Sequence, residues 1–144
     1  RPQQFRGETG AQSSIVPCLD AGLGVSHAPD PLTVYLQEMR EYMPPQHRAF
    51  LRAIEQSTDE KNRPLLSAYI RDRRSDNPNL WRSYCTCVDL LAQFREIHIG
   101  YADSYIHRQH QIHASNPSAV GTGGTPFIAY LQKHLDETRR ALVD

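Results

Sequence analysis

Apolar residues recur at three- and four-residue steps along most of the chain, and no stretch of useful length alternates with period two. The pattern predicts helices throughout and no strands. The longest periodic run is Leu80 to Tyr105, where Tyr84, Val88, Leu91, His98, Tyr101 and Tyr105 share one helical face. His98 is thereby expected on the apolar stripe, with Arg95 one turn earlier on nearly the same face. Upstream, Ser13 or Ser14 can cap a helix carrying Val16, Leu19, Asp20 and Leu23 on one face, with Pro17 tolerated in its first turn. Gly22 and Gly24 end it. Asp30-Pro31 opens a second helix, whose stripe of Leu32, Tyr35, Leu36, Met39 and Met43 stops at Met43-Pro44-Pro45. Pro45 reopens a helix with Phe50, Leu51 and Ile54 together. Gln56 to Arg63 reads as a solvated connection, Leu65 to Ile70 as a short apolar piece, and Arg71 to Asn79 as a wet loop of mixed sign. Ser115 to Val120 reads as loop. Thr125-Pro126 is a cap-and-proline start for a last helix along Phe127, Ile128, Leu131, Leu135 and Leu142. The fold class is all-α, a helical bundle without internal repeats.

With 144 residues the chain has one domain's worth of core. Sixteen basic and sixteen acidic residues cancel, which argues against nucleic acid or an anionic membrane surface as partner. No apolar run is long enough to span a bilayer, and Arg1-Pro2-Gln3-Gln4-Phe5-Arg6 lacks the form of a signal peptide. A soluble, cytoplasmic protein is expected. Cys18, Cys85 and Cys87 cannot all pair and are expected to be reduced, with Cys85 and Cys87 as packing residues. The chain opens without an initiator methionine in what reads as mid-loop, so it is expected to be part of a larger functional unit.

Four features carry candidate chemistry. An imidazole in apolar surroundings with a guanidinium one turn away, His98 and Arg95, can hold an iron porphyrin, nitrogen to metal and cation to propionate. A lone histidine on a buried stripe is, however, more often a hydrogen-bonded core residue. Asp20 needs a partner if buried and none at the helix edge in water. His107, His110 and His113 invite a zinc reading, but no cysteine or carboxylate supports it, and a solvated, fraying helix end fits better. Gly121-Thr122-Gly123-Gly124-Thr125 gives a backbone that can approach a ligand closely, at a helix N-terminus that favours anions.

Together these pieces resemble the indoleamine 2,3-dioxygenase family. The matching segments are Phe5-Arg6-Gly7-Glu8-Thr9-Gly10-Ala11-Gln12-Ser13-Ser14 with Asp20, Tyr35-Leu36-Gln37-Glu38-Met39-Arg40 with Tyr42-Met43-Pro44-Pro45-Gln46-His47-Arg48 and Phe50-Leu51, Arg95-Glu96-Ile97-His98, and Gly121-Thr122-Gly123-Gly124-Thr125. The resemblance implies a haem b enzyme that opens the indole ring of L-tryptophan or a related indoleamine with O2, giving N-formylkynurenine, the first step of the kynurenine pathway. It implies His98 as proximal iron ligand, Arg95 as partner of a haem propionate, and Asp20 as acceptor from the other ring nitrogen of His98. Thr9 and Gly10 would line the pocket, and Gly121 to Thr125 would form a loop over the substrate. Residues 1 to 144 would be the C-terminal, haem-proximal part of the family's large helical domain. The N-terminal small domain and distal helices would belong to a separate partner or the rest of the same protein, and activity from this chain alone is not expected. A haem-binding or sensing module without dioxygenase chemistry is the alternative.

Overall fold

The computed structural model describes residues 14–115 and 124–143, with the backbone alone at 32, 33, 35, 36, 113–115 and 124–126. The chain divides into two units, Arg1–Cys87 and Val88–Asp144. Among the described residues six α-helices account for nearly all regular structure, and the one β-pairing is an isolated bridge between Thr58 and Pro64. The all-α expectation holds. None of these helices is long and apolar enough to cross a membrane.

In the first unit, α1 (Ile15–Leu23) packs against α3 (Pro45–Gln56) and α4 (Leu65–Asp72). Ser14 stands at the N-cap position of α1, yet its side chain caps nothing; its hydroxyl bonds Nδ1 of His47 on α3 instead. Gly24 closes α1 in the left-handed conformation at φ 71°, and its N–H donates to Ala21 O. Only a residue without Cβ fits, because an added Cβ would overlap Ser67 Oγ. α2 (Pro31–Glu38) begins where Asp30-Pro31 signals it, but passes into a 3-10 turn over Met39–Tyr42 before the proline pair. Met39, Met43 and Leu51 are buried as their periodicity predicts, whereas Phe50 is exposed.

The tract from Arg71 to Asn79 is not one loop. α4 runs on to Asp72, and α5 (Pro78–Ser115) starts two residues before the predicted run. The reason is a cap: Asn77 Oδ1 accepts from Leu80 N at 3.2 Å, and Pro78 takes the first helical position, where its missing N–H costs nothing. The arginines of this tract lie over rings, Arg73 above Tyr69 at 3.7 Å and Arg71 near both Trp81 and Tyr84. Tyr84 anchors the first turns of α5 by donating its hydroxyl to Leu23 O at 2.6 Å.

α5 is 38 residues long, so His107 and His110 lie on the body of a helix, exposed, and not on a fraying end. Cys87 is exposed and Cys85 only partly covered, which corrects the packing role expected for Cys87. The second unit is the remainder of α5 with α6 (Gly124–Arg140). The last helix thus starts one residue before Thr125, which lies inside it and does not cap it. Leu135 is buried, with Phe127, Ile128, Leu131 and Leu142 partly covered.

Candidate functional site

The buried line of α5 runs Tyr84, Val88, Leu91 and Arg95, with Val88 at 0% exposure. Tyr101 and Tyr105, expected to continue it, do not: Tyr101 is 74% exposed. They belong to a second line, Leu90, Phe94, Ile97, Tyr101 and Tyr105, all exposed. Steps of four, three, four and four residues keep these five side chains on one face of the helix. His98 falls between the two lines. It is half-buried, and its ring stacks on Phe94 with centroids 6.1 Å apart and planes inclined by 24°.

Burial pushes the His98 imidazole below the ordinary histidine value, and the positive charge of Arg95 pushes the same way. A neutral imidazole retains a nitrogen lone pair, the form in which histidine ligates metals. An exposed row of apolar and aromatic side chains beside such a nitrogen can accept the face of a flat apolar ring.

Arg95 is 6% exposed, although arginine is rarely buried without a partner. Its Nη1 donates to Thr138 Oγ1 on α6 at 2.8 Å, a residue 43 positions further along the chain. Thr138 is 0% exposed, and its hydroxyl donates onward to His134 O at 2.7 Å, one turn back along α6. Beside this buried contact runs an exposed ion pair, Arg139 Nη2 to Glu96 Oε2 at 3.2 Å. The second unit therefore brings His98, Arg95 and Thr138 into one neighbourhood. Thr138 had a legible signal: it occupies the 138 position of a line through Leu131, Leu135 and Leu142, a hydroxyl where the helical stripe calls for a carbon side chain.

Asp20 lies in the first unit. It is 8% exposed, so the solvated helix-edge reading is excluded. Its Oδ2 is 3.0 Å from His27 Nε2. His27 carried no periodic signal, because it follows the Gly24 reversal and comes back to the helix outside any helical register. Thr9, Gly10, Gly121, Thr122 and Gly123 lie outside the described residues; Gly124 opens α6 and Thr125 follows it.

A family model described as indoleamine 2,3-dioxygenase matches residues 1–141. Indoleamine 2,3-dioxygenase 1 of Rattus norvegicus is 35% identical over 155 residues, covering 99% of this chain and 36% of the rat protein. The 6-hydroxytryptophan 2,3-dioxygenase of Fusarium equiseti is 39% identical over 104 residues, covering 72% of this chain and 23% of its own length. A protein of Haliotis madaka named a myoglobin is 29% identical over 143 residues, 97% of this chain and 35% of that protein. The chain spans about a third of the length of most relatives it matches, 36% for the rat protein. A match over nearly every residue settles the relationship: the chain belongs to the indoleamine 2,3-dioxygenase family.

Proposed function

We propose that this chain supplies the proximal side of a haem b pocket in an enzyme that opens the indole ring of L-tryptophan or a related indoleamine. The observation that carries the reading is His98, held neutral at the seam between the buried line of α5 and an exposed apolar line. In this role His98 ligates the iron through one ring nitrogen, and the exposed side chains from Leu90 to Tyr105 give the ring's face an apolar surface. Arg95 holds a propionate by a charge-assisted hydrogen bond. Asp20 accepts from the second ring nitrogen of His98, fixing its tautomer. A carboxylate has about four lone-pair sites, so accepting from His27 as well is compatible with that task.

When bound, the haem supplies the chemistry by which both atoms of O2 are inserted across the indole C2–C3 bond to give N-formylkynurenine. The protein's part is to orient the reactants and to exclude water. Thr9 and Gly10 belong to the pocket wall in this reading, and Gly121 to Thr125 to a loop that closes over the substrate. The distal wall belongs to the rest of the protein or to a partner chain, and the activity is that of the whole, in the cytoplasm.

The relative named a myoglobin favours a second reading, a haem protein that binds O2 without consuming an indole. Mixing the reduced, haem-loaded intact protein with O2 and L-tryptophan separates the two. Tryptophan-dependent formation of N-formylkynurenine is the expected result. A stable, reversible O2 complex without product would overturn the dioxygenase reading.

A further inference from the structure

We infer that Thr138 is a positioning residue that aims Arg95 at a carboxylate of the ligand held beside His98. The inference rests on the haem reading above, in which that carboxylate is a propionate, and names the residue on α6 that makes the grip possible.

A guanidinium is a rigid plane with five N–H donors in fixed directions, so holding one of them fixes the plane of all. Thr138 takes one such donor, Nη1, at 2.8 Å. The hydroxyl that receives it is itself held, since its own proton goes to His134 O at 2.7 Å. A threonine rotor with its proton committed along the helix has both lone pairs fixed in direction, and Arg95 donates to one of them. Complete burial of Thr138 keeps water from substituting for either bond.

Geometry ties this to the ligand-binding end of α5. Arg95 precedes His98 by three residues, so both side chains issue from one side of one helical turn. An arginine free to rotate there would sample many rotamers and lose that freedom on gripping an anion. Thr138 removes the cost in advance. A purely structural tie between α5 and α6 is the competing account, and the exposed pair Arg139 to Glu96 already provides one.

The two accounts separate when the ligand's carboxylates are removed and the protein is left alone. Apo-protein of the intact molecule is titrated with haem and with haem dimethyl ester, whose propionates are neutral, following the Soret band. Thr138→Val, which keeps shape and deletes the acceptor, is expected to weaken haem binding roughly tenfold or more, in line with lost partners of ligand-holding groups. Binding of the dimethyl ester is expected to change little. Thr138→Ser restores the wild-type ratio, and Arg95→Leu reproduces the Thr138→Val pattern. If the valine chain does not fold, Thr138→Cys gives the same comparison with a weaker acceptor. Equal losses for both ligands, or no loss for either, would overturn the role of Thr138. An Arg95→Leu protein that binds both ligands like the wild type would overturn the propionate reading itself, and the inference with it.

Discussion

His27 and Asp20 pair within the first unit, Nε2 to Oδ2 at 3.0 Å, with both side chains largely out of water. The carboxylate proposed above to support the iron ligand therefore has an imidazole of its own unit beside it. Removing one partner of a buried polar pair strands the other. His27→Ala is expected to lower stability by about 1–3 kcal/mol, measured by urea unfolding of the intact protein. An unchanged unfolding midpoint would show that Asp20 does not depend on His27.

Gly24 makes a harsher test of the first unit. Its left-handed backbone costs a side-chain-bearing residue about 1–2 kcal/mol, and the added Cβ would overlap Ser67, whose own Cβ would be 2.6 Å away. Gly24→Ala is expected to cost more than about 2 kcal/mol in thermal or chemical unfolding, because the conformational penalty and the overlap add. Gly24→Ala with Ser67→Gly is expected to recover the part due to overlap and no more.

Much of this was legible in the sequence. Helix starts at Asp30-Pro31 and Pro45, the end at Gly24, and the burial of Met39, Leu51, Val88 and Leu135 all follow from caps, prolines and period. The errors have physical causes. Tyr101 and Tyr105 keep the helical period of a core line, but a helix apolar on two faces does not reveal from period alone which face is covered. The start of α5 is hidden inside a charged tract, where the cap and proline pair Asn77-Pro78 looks like one more stretch of polar loop. The partners His27 and Thr138 are hard to find in the sequence because pairing across a turn or between helices has no sequence period; only the hydroxyl interrupting the α6 stripe is a sign of Thr138.

The His98 ring gives a pH prediction with a definite sign. Its proton is held less firmly in the folded chain than at the ordinary value of 6.5, through burial first and Arg95 second. As pH falls below that value the unfolded chain takes up the proton before the folded one, so this group's contribution to stability falls with it. NMR titration of the ligand-free protein should find the His98 midpoint below 6.5. Arg95→Leu should move it upward without restoring it fully, since burial remains. A midpoint at or above the ordinary value would contradict a neutral, ligand-ready imidazole.

Acid acts on the first unit through Arg63. Its guanidinium donates to both oxygens of Asp72, at 3.2 and 2.9 Å, and to Asp59 Oδ2 at 2.8 Å. The backbone N–H of Arg63 holds the Asp59 carboxyl below the ordinary carboxylate value, and the Arg63 side chain does the same for Asp72. Both contributions are complete above the unfolded value of 3.8 and are lost as pH falls through the depressed ones. Arg63→Ala should raise the Asp72 midpoint towards 3.8 in an NMR titration and the Asp59 midpoint only in part, because the backbone N–H at position 63 stays, and salt should weaken the effect because the network is open to water.

The most direct test of the account is the spectrum of the haem-loaded intact protein and of its His98→Ala variant, in the ferric and ferrous states, with and without added imidazole. The account predicts that the wild type shows an iron–histidine stretch in ferrous resonance Raman, and that the variant loses both the stretch and firm haem retention. Added imidazole should restore them by filling the space left by the ring. A variant that keeps the wild-type Soret band and iron–histidine stretch would place the iron on another ligand and contradict the proposal that His98 holds it.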